Sequence, residues 1–337
     1  MNENENFLTL GIETSCDDTG VAILKNEREV LCEFLSSQIK DHSRFGGVIP
    51  EFAARKHLEN LLPLIDAALK ETKIKGQELN LIAVTRGPGL MGSLIVGVQT
   101  AKALSQVWNV PLIGVNHLEG HIFANFLSAP NLEPPFLALV VSGGHSSLIK
   151  MTGYNDFELI GQTRDDAAGE AFDKIARVMN LPYPGGPQID KLAKEGNSNA
   201  IDFPRAKVSD FDFSFSGLKS AVLNYLNTAQ MKGEEINKAD VAASFQKAVI
   251  DSLIDKTIDA AEKFKLTKIV LAGGVAANSS LEENLRAGCK SHGLEFFYPT
   301  KILCTDNAAM IACRGYYQSL VGDFAKNNLN AIPNLSL

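Results

Sequence analysis

The sequence has little of several features that would assign a protein class at once. Among its 337 residues are one tryptophan and five cysteines, and no C-x-x-C pair occurs. We therefore expect reduced thiols, and neither a disulfide framework nor a cysteine zinc site. No run of about 18 uncharged apolar residues is present, which predicts that no segment spans a membrane. Residues 1–6 are polar and acidic, unlike a signal peptide, so a cytoplasmic protein is expected.

The chain also lacks the common phosphate-binding motifs and an excess of positive charge. Neither G-x-x-x-x-G-K-[ST] nor G-x-G-x-x-G is found, so the Walker loop and the dinucleotide fingerprint are excluded. A net charge of −7 argues against indiscriminate nucleic-acid binding, which needs Lys and Arg to neutralise phosphates. Arg44, Arg55 and Lys56 form a local basic group near the first long helical segment. This group predicts either a rim for an anionic polymer or a solvated charged face.

What is present is an ordinary globular composition with an internal repeat. Hydrophobic residues make up 45% and charged residues 21%, and the length suggests two domains. Each half shows three strand-like segments followed by helix, strand, helix and strand, which predicts duplicated α/β lobes with a cleft between them. We expect a first lobe at 1–130, joined by a C-terminal helix at about 308–337, and a second lobe at 131–307 with an insertion at 165–238.

Three glycine pairs lie at strand ends or in turns. They are Gly143-Gly144, Gly185-Gly186 and Gly273-Gly274. Glycine lets backbone N–H groups approach phosphate oxygens, and ligands of open α/β sheets bind beyond the carboxyl ends of strands. Any single pair is explained as well by a tight turn, but the three together favour nucleotide binding.

A pair of histidines has the spacing of metal ligands. His117 and His121 are four residues apart, so on a helix both side chains share one face and can reach one ion. Glu119 lies two residues after the first histidine, a rotation of roughly 200°, and does not occupy the position of a metallopeptidase base. Asp306, at a predicted helix start, is a candidate third ligand. Two solvated or capping histidines are the alternative.

Acidic residues cluster in two further places. Glu13, Asp17 and Asp18 surround the first hairpin, where they predict a site for hydrated Mg²⁺, a group that positions a nucleophile, or ordinary turn chemistry. Cys16 lies among these acids, which raise a thiol pKa, so we do not expect a reactive cysteine. In the second group, Asp165 or Asp166 is predicted to cap a helix, whereas capping does not explain Asp173.

Motifs spread along nearly the whole chain carry a family resemblance. They are G-I-E-T-S-C-D-D-T at 11–19, P-E-F-A-A-R-K-H-L-E at 50–59, N-H-L-E-G-H at 116–121, V-S-G-G-H at 141–145, D-D-A-A-G-E-A-F-D-K at 165–174, Y-P-G-G-P at 183–187, F-S-F-S-G-L-K at 213–219, A-G-G-V-A-A-N at 272–278 and C-T-D-N-A-A at 304–309. In this order they resemble the bacterial tRNA N6-adenosine threonylcarbamoyltransferase family, TsaD. The departures are small, and Asp18 keeps the charge of the Glu that is usual there.

The resemblance implies a fold and an activity. The fold is α/β, with two duplicated lobes like those of actin-like ATPases, sugar kinases and Hsp70 chaperones and a central nucleotide cleft. The activity is metal-assisted transfer of the threonylcarbamoyl group from threonylcarbamoyl-AMP to N6 of the adenosine 3′ of the anticodon, in tRNAs that read codons beginning with A. A glycoprotease-type metallopeptidase and a non-catalytic nucleotide switch are the alternative functions.

The resemblance also implies site residues, cofactors and partners. It makes His117, His121 and Asp306 the ligands of one divalent ion and favours Fe(II), although Zn(II) suits such ligands nearly equally; Mg²⁺ with the nucleotide is a further alternative. The expected partners are tRNA, a TsaB-like paralogue and a TsaE-like P-loop ATPase, with no membrane. No motif identifies the general base, for which Asp17 is the first candidate and His145 the second. The implied nucleotide-binding positions are Val140, Val141, Ser142, Gly143, Gly144, Asp173, Gly186, Asp190 and Asn278.

Overall fold

The computed structural model describes residues 6–326 and 328–337. The absence of a signal peptide was predicted from residues 1–6, and residues 1–5 lie outside these ranges. Within them, no helix combines the length and apolar character needed to cross a membrane. None of the cysteines in this described part of the chain forms a disulfide, as the sequence predicted.

Strands and helices follow one another as an α/β pattern. The strands are β1 (Leu8–Glu13), β2 (Asp18–Lys25), β3 (Glu29–Ser37), β4 (Leu81–Gly87), β5 (Leu112–Asn116), β6 (Phe136–Val141), β7 (Ser146–Gly153), β8 (Asp156–Gln162), β9 (Lys268–Ala272) and β10 (Glu295–Phe297). The helices are α1 (Ile39–His42), α2 (Pro50–Thr72), α3 (Met91–Trp108), α4 (His117–Ser128), α5 (Ala168–Val178), α6 (Gly185–Ala193), α7 (Ser216–Lys232), α8 (Lys238–Lys263), α9 (Ser279–Ser291), α10 (Lys301–Cys304) and α11 (Ala308–Ser319).

The first compact unit comprises Met1–Leu132 and Pro299–Leu337. Its sheet has the order β3-β2-β1-β4-β5, in which β1, β4 and β5 are mutually parallel and β2 is antiparallel to both of its neighbours. Alternate residues of a strand face opposite sides of the sheet. On β4, Ile82 and Val84 join the apolar core under α2 and α3, whereas Leu81 and Ala83 join the core under α4 and α11.

Polar N-cap residues start the two helices at which the candidate metal ligands lie. Asn116 is the N-cap of α4, where its side chain accepts a hydrogen bond from the Leu118 amide at 2.9 Å. Asn307 caps α11 in the same manner through the Met310 amide at 2.8 Å. Such caps satisfy amides that the first helical turn leaves without partners. They place His117 at the first position of α4 and Asp306 just ahead of α11.

The end of the chain is less helical than the sequence predicted. The helix expected at about 308–337 ends at Ser319, and Gly322 then adopts a left-handed conformation that ends helices. The later described residues lie along the first sheet, where the Ala325 amide donates to the Leu112 carbonyl and the Ile332 amide to that of Arg86. Residues 299–307, assigned to the second lobe from the sequence, belong to the first unit.

The second compact unit is Glu133–Tyr298, and its sheet repeats the topology of the first. The order is β10-β9-β6-β7-β8, with β6, β9 and β10 parallel and β7 antiparallel to both neighbours. Counted from the antiparallel edge, both sheets therefore have the strand order third, second, first, fourth, fifth. The insertion predicted at 165–238 contains α5, α6 and α7.

The prediction that Asp165 or Asp166 caps the first helix of the insertion was wrong. The N-cap of α5 is Ala167, which makes no side-chain hydrogen bond. Asp165 instead accepts hydrogen bonds from the Phe215 and Ser216 amides at the start of α7, at 2.8 and 3.2 Å. Asp166 forms ion pairs with Lys174 and Lys219. Tertiary folding brings α7 to these acids, so their partners on α7 are distant in sequence.

Candidate metal centre and nucleotide-binding turns

Three predicted metal ligands meet in the first unit. The Nε2 atoms of His117 and His121 lie 3.4 and 3.2 Å from Oδ1 of Asp306. One ligand atom from each residue lies within 4.8 Å of the other two, and both histidines are buried. The four-residue spacing puts the two imidazoles on one face of α4, and the capped start of α11 brings the carboxylate to them.

The topology of the sheet explains why these residues meet. Strands β1, β4 and β5 run parallel, so their carboxyl ends lie at one edge of the sheet. That edge carries Glu13 from β1, Thr85 near the end of β4, and His117 directly after β5. Functional side chains of open α/β sheets typically gather at this edge.

Glu13 orients the first histidine. Its Oε2 lies 3.0 Å from Nδ1 of His117 and accepts a hydrogen bond from the Thr85 hydroxyl at 2.6 Å. Its Oε1 accepts from the Ser15 amide at 2.5 Å. A carboxylate at Nδ1 makes that nitrogen the N–H donor and leaves Nε2 as the atom that faces Asp306. Glu13 therefore supports His117, a role that the alternatives for the hairpin acids did not include.

The electrostatics of the group suit a cation. Burial lowers the pKa of His117, but the carboxylates of Glu13 and Asp306 outweigh it and raise the pKa to about 10. Burial opposes ionisation of Asp306 too, yet the histidines bring its pKa below the usual range. Burial lowers the pKa of His121. Its buried Nδ1 has no hydrogen-bond partner, and its Nε2 lies 3.2 Å from the Asp306 carboxylate. A neutral imidazole with an unsatisfied nitrogen beside an ionised carboxylate fits a divalent metal ion.

The β1–β2 turn next to this group holds the candidate base. Burial raises the pKa of Asp17, and it raises that of Asp18 to about 7. One buried oxygen of Asp18, Oδ1, has no hydrogen-bond partner. Burial, followed by the charge of Asp17, raises the pKa of the Cys16 thiol well above its ordinary value, in agreement with the expectation of an unreactive cysteine.

His57, which the sequence places beside the basic group, is buried and fixes this turn. Nε2 of His57 on α2 lies 2.9 Å from the Cys16 carbonyl, and Nδ1 lies 2.7 Å from the Thr19 hydroxyl. Because a carbonyl only accepts, Nε2 carries the proton and Nδ1 accepts from Thr19. The imidazole therefore anchors the turn from both sides.

Glu119 does not face the histidine pair. Its Oε2 accepts a hydrogen bond from Nε of Arg314 at 2.5 Å, and both side chains are largely buried. A metallopeptidase of the H-E-x-x-H type needs a carboxylate beside its metal-bound water. The predicted rotation of Glu119 away from the histidines therefore agrees with its observed partner, and the peptidase alternative loses its base.

In the second unit, the turn after β6 is open on one side. The Ser142 amide donates to the His145 carbonyl at 2.8 Å, and the His145 amide donates to the Ser142 hydroxyl at 3.2 Å. A Cβ atom placed on Gly143 or Gly144 would meet nothing within 4 Å. Space is therefore available at these two residues, which follow Val140 and Val141 of β6.

The other glycine pairs each combine one packed and one open residue. Gly273 has φ +91°, and a Cβ there would lie 2.4 Å from the Val141 carbonyl oxygen, so only glycine fits. A Cβ on Gly185 would lie 2.8 Å from Cα of Asp173. Gly186 and Gly274 meet nothing within 4 Å. Close packing explains the first member of each pair, and the open space beside the second is available to a ligand.

The remaining predicted nucleotide positions make contacts within the protein. Asp173 accepts from the Gly185 amide at 2.7 Å, and Asp190 accepts from the Ser279 hydroxyl at 2.9 Å. The Asn278 side chain caps α9 through the Leu281 amide and donates to Gln246 at 2.8 Å. Asp190, Gln246 and Ser279 also line a cavity of about 310 Å³ within this unit. These polar side chains hold α6 and α9 around that space.

The basic group of Arg44, Arg55 and Lys56 has fewer positive charges outside ion pairs than its sequence suggests. Lys56 forms an ion pair with Glu59 at 2.8 Å and lies 5.8 Å from the centre of the Phe52 ring. Arg44 and Arg55 are exposed. No carboxylate within the described ranges pairs with either arginine at ion-pair distance. Two arginines are therefore left to contact an anionic polymer.

Similar solved structures share the fold at low sequence identity. HypF of T. kodakarensis superposes with a TM-score of 0.66 at 17% identity, covering 96% of this chain and 49% of that chain. The activator of the 2-hydroxyisocaproyl-CoA dehydratase from Clostridium difficile with bound ADPNP gives a TM-score of 0.53 at 14% identity, covering 95% and 99%. The predicted fold class, α/β with duplicated units of the actin-like ATPase type, is confirmed.

Sequence comparison identifies the family. The chain matches the family model of TsaD, tRNA N6-adenosine threonylcarbamoyltransferase, over residues 29–313. A protein of that name from Clostridium botulinum (strain 657 / Type Ba4) is 56% identical over 335 residues, covering 99% of this chain and 98% of the relative. Another, from Clostridium perfringens (strain SM101 / Type A), is 56% identical over 332 residues and 98% of each chain. The chain therefore belongs to the TsaD family of tRNA N6-adenosine threonylcarbamoyltransferases.

Proposed function

We propose that this chain transfers the threonylcarbamoyl group of threonylcarbamoyl-AMP to N6 of the adenosine 3′ of the anticodon, in tRNAs that read codons beginning with A. The product is N6-threonylcarbamoyladenosine, and AMP leaves. The observation that carries the proposal is the convergence of His117, His121 and Asp306 in a chain of the TsaD family. The non-catalytic switch offers no reason for such a buried group, because nucleotide binding alone does not need it.

The second unit is proposed to bind the AMP portion of the donor. The open turn at Ser142, Gly143 and Gly144 offers backbone amides for the phosphate, as glycine-rich turns at strand ends do. Asp173 and Asp190 carry carboxylates suited to ribose hydroxyls. Gly186 leaves room for the ligand, and Asn278 supports this region through its cap on α9.

The first unit is proposed to hold the metal ion and the base. His117, His121 and Asp306 would bind one divalent ion, with Fe(II) favoured and Zn(II) suited to the same ligands. When bound, the ion supplies a Lewis acid that stabilises negative charge developing on oxygen. Glu13 keeps Nε2 of His117 available as a ligand atom through its bond to Nδ1.

The proton of the attacking amine needs an acceptor. As adenine N6 forms its bond to the carbamoyl carbon and the bond to the phosphate oxygen breaks, N6 loses one proton. We assign this proton to Asp17, whose raised pKa makes its carboxylate a stronger base than an exposed aspartate. His145 is the second candidate, and its backbone closes the turn at Ser142.

Mass analysis of the tRNA nucleosides tests the activity directly. Metal-loaded protein is incubated with synthetic threonylcarbamoyl-AMP, its protein partners and an unmodified tRNA that reads a codon beginning with A. We expect the mass of threonylcarbamoyladenosine at the position 3′ of the anticodon. A tRNA with guanosine there lacks the N6 amine and serves as the control. Unmodified adenosine after incubation with loaded protein and both partners would refute the proposal.

The acidic chain is proposed to work with protein partners. Because the basic group offers only Arg44 and Arg55 outside ion pairs, counterion release predicts weak, salt-sensitive tRNA binding by this group in the isolated chain. Helices α2 and α3 present an apolar surface made of Leu58 and Leu62, 65% and 58% exposed, together with Met91 and Ile95. We propose that a TsaB-like paralogue docks there, and that it and a TsaE-like ATPase raise turnover. A tRNA substrate also implies a cytoplasmic enzyme.

Leu58→Asp is expected to weaken binding of the TsaB-like partner by about 10-fold or more, because it places a charge in the centre of a desolvated apolar contact. Partner-stimulated turnover should fall with it, while the activity of the isolated chain stays the same. Titration of the partner by calorimetry measures the effect. Met231→Asp, at an equally apolar and 87% exposed position on α7, is the control. Equal partner affinity in both variants would exclude this surface.

A further inference from the structure

Glu119 lies inside the metal-binding motif but has no part in metal binding, nucleotide binding or proton transfer as described above. Its carboxylate contacts Nε of Arg314 on α11 at 2.5 Å. Arg314 is only 4% exposed, and its guanidinium carbon lies 5.1 Å from the centre of the Phe123 ring. A buried ion pair is costly to desolvate, so its presence between two helices needs a reason.

The two helices that form this ion pair are the helices that carry the proposed metal ligands. His117 and His121 lie on α4, and Asp306 precedes the N-cap of α11 by one residue. The distance between the imidazoles and the carboxylate therefore depends on how far α11 is displaced along α4. Metal–ligand distances tolerate deviations of roughly 0.2 Å, whereas a slip of one residue along a helix moves an atom by about 1.5 Å.

The other contacts between α4 and α11 do not fix this displacement equally well. Gly120 allows a close approach, since a Cβ there would lie 2.7 Å from Cδ1 of Ile311. Further along, Phe123 packs against Tyr317 with 5.2 Å between ring centres. Apolar contacts are non-directional and permit small slips at little cost. A short charge-assisted hydrogen bond depends steeply on distance and angle.

We propose that the Glu119–Arg314 ion pair sets the register of α4 against α11 and thereby holds His117, His121 and Asp306 at the spacing of a metal site. Both are positioning residues, since neither contacts the ion or the substrate. Setting register is the best-attested use of a buried polar pair. The two histidines face the ion, while the glutamate between them on the opposite side of the helix fixes the helix to the element that bears the third ligand.

The inference rests on the proposed metal site, and Co²⁺ binding tests both separately. Metal-free full-length protein is titrated with Co²⁺ alone, and the visible d–d spectrum reports affinity and coordination geometry. Glu119→Gln/Arg314→Met removes both charges of this pair together, so the fold should survive. We expect its affinity for Co²⁺ to fall by about 10–100-fold, as for other residues that orient ligands, and its spectrum to change. Thermal unfolding of the metal-free variant should stay close to that of the wild type.

Two further variants distinguish a change in the register of α4 against α11 from a general loss of packing between the two helices. Arg314→Lys keeps both charges but loses the planar fork, so affinity should fall in a folded protein even where the double variant does not fold. Phe126→Leu removes apolar packing against Tyr317 at the far end of the same helix pair. It should lower thermal stability and leave the Co²⁺ spectrum unchanged.

Wild-type affinity and spectrum in the folded ion-pair variants would overturn the inference while leaving the metal site in place. A Co²⁺ spectrum of Phe126→Leu altered as strongly as the spectra of the ion-pair variants would also overturn the inference, because packing alone would then explain the effect. Absence of Co²⁺ binding by the wild type would overturn the metal site and the inference together.

Discussion

Replacing His121 by Ala is expected to lower the affinity for divalent metal by more than about 100-fold, beyond the loss typical of residues that only orient ligands. Nε2 of His121 lies 3.2 Å from Oδ1 of Asp306, which is itself a proposed ligand, so both atoms face the same position for the ion. Loss of one of three ligands leaves His117 and Asp306, which form too few bonds to hold the ion tightly. Transfer to tRNA should fall in proportion to bound metal, measured by elemental analysis beside a nucleoside mass assay.

A matched histidine separates this effect from a general disturbance. His292→Ala changes an imidazole that is 43% exposed at the end of α9, in the second unit. It should retain both metal and activity. If His121→Ala keeps the wild-type metal content, the ligand assignment is wrong. If it loses metal but keeps full activity, the ion is not needed for transfer.

Local spacing explains why part of this site was predictable. The four-residue interval between His117 and His121 is a property of any helix, so the shared face follows from the sequence alone. Asp306 is far away in the chain, and its contribution was implied by the family resemblance together with its place at a helix start. The structure adds the physical reason, because α11 packs along α4 and its capped start lies beside both imidazoles.

The supporting residues were not predictable from local pattern. Glu13 was assigned to turn chemistry or Mg²⁺, yet it bonds to Nδ1 of His117 because β1 and β5 end at one edge of the sheet. Asp is a residue type that often caps the helix following it. Asp165 instead accepts a hydrogen bond from the Phe215 amide at the start of α7, which the fold of the insertion brings to it. Each partner is set by tertiary packing, which periodicity does not encode.

The fold was easier to predict from the sequence than the boundaries of its helices and units. Short apolar runs separated by polar turns indicated the strands that open each unit, and the repeated order predicted the duplication observed in the two sheets. The extent of the last helix was overestimated, although Gly322 and Pro333 are both residues that stop helices. Backbone hydrogen bonds to Leu112 and Arg86, which no sequence pattern predicts, hold the described part of this segment against the first sheet.

Gly144→Val is expected to weaken AMP binding by about 100-fold or more while the protein stays folded. The backbone at Gly144 is not left-handed and a Cβ there meets nothing within 4 Å, so valine causes neither strain nor a clash in the protein. Its branched side chain would instead fill the space where a phosphate meets the turn amides. Hydrogen bonds to charged groups contribute about 1.5–3 kcal/mol each. Loss of two of them therefore corresponds to a factor of roughly 100 or more in affinity.

The control for this substitution lies at the far end of β7, the strand that follows the turn. Gly153 ends β7 at the edge opposite the turn, and a Cβ there would make an ordinary contact of 3.6 Å with Asp156. Gly153→Val should bind AMP as the wild type does, with both affinities measured by calorimetry and folding checked by thermal unfolding. Wild-type AMP affinity in folded Gly144→Val would exclude the turn after β6 as the phosphate site. The phosphate would then have to meet the amides beside Gly186 or Gly274, whose Cβ positions are equally open.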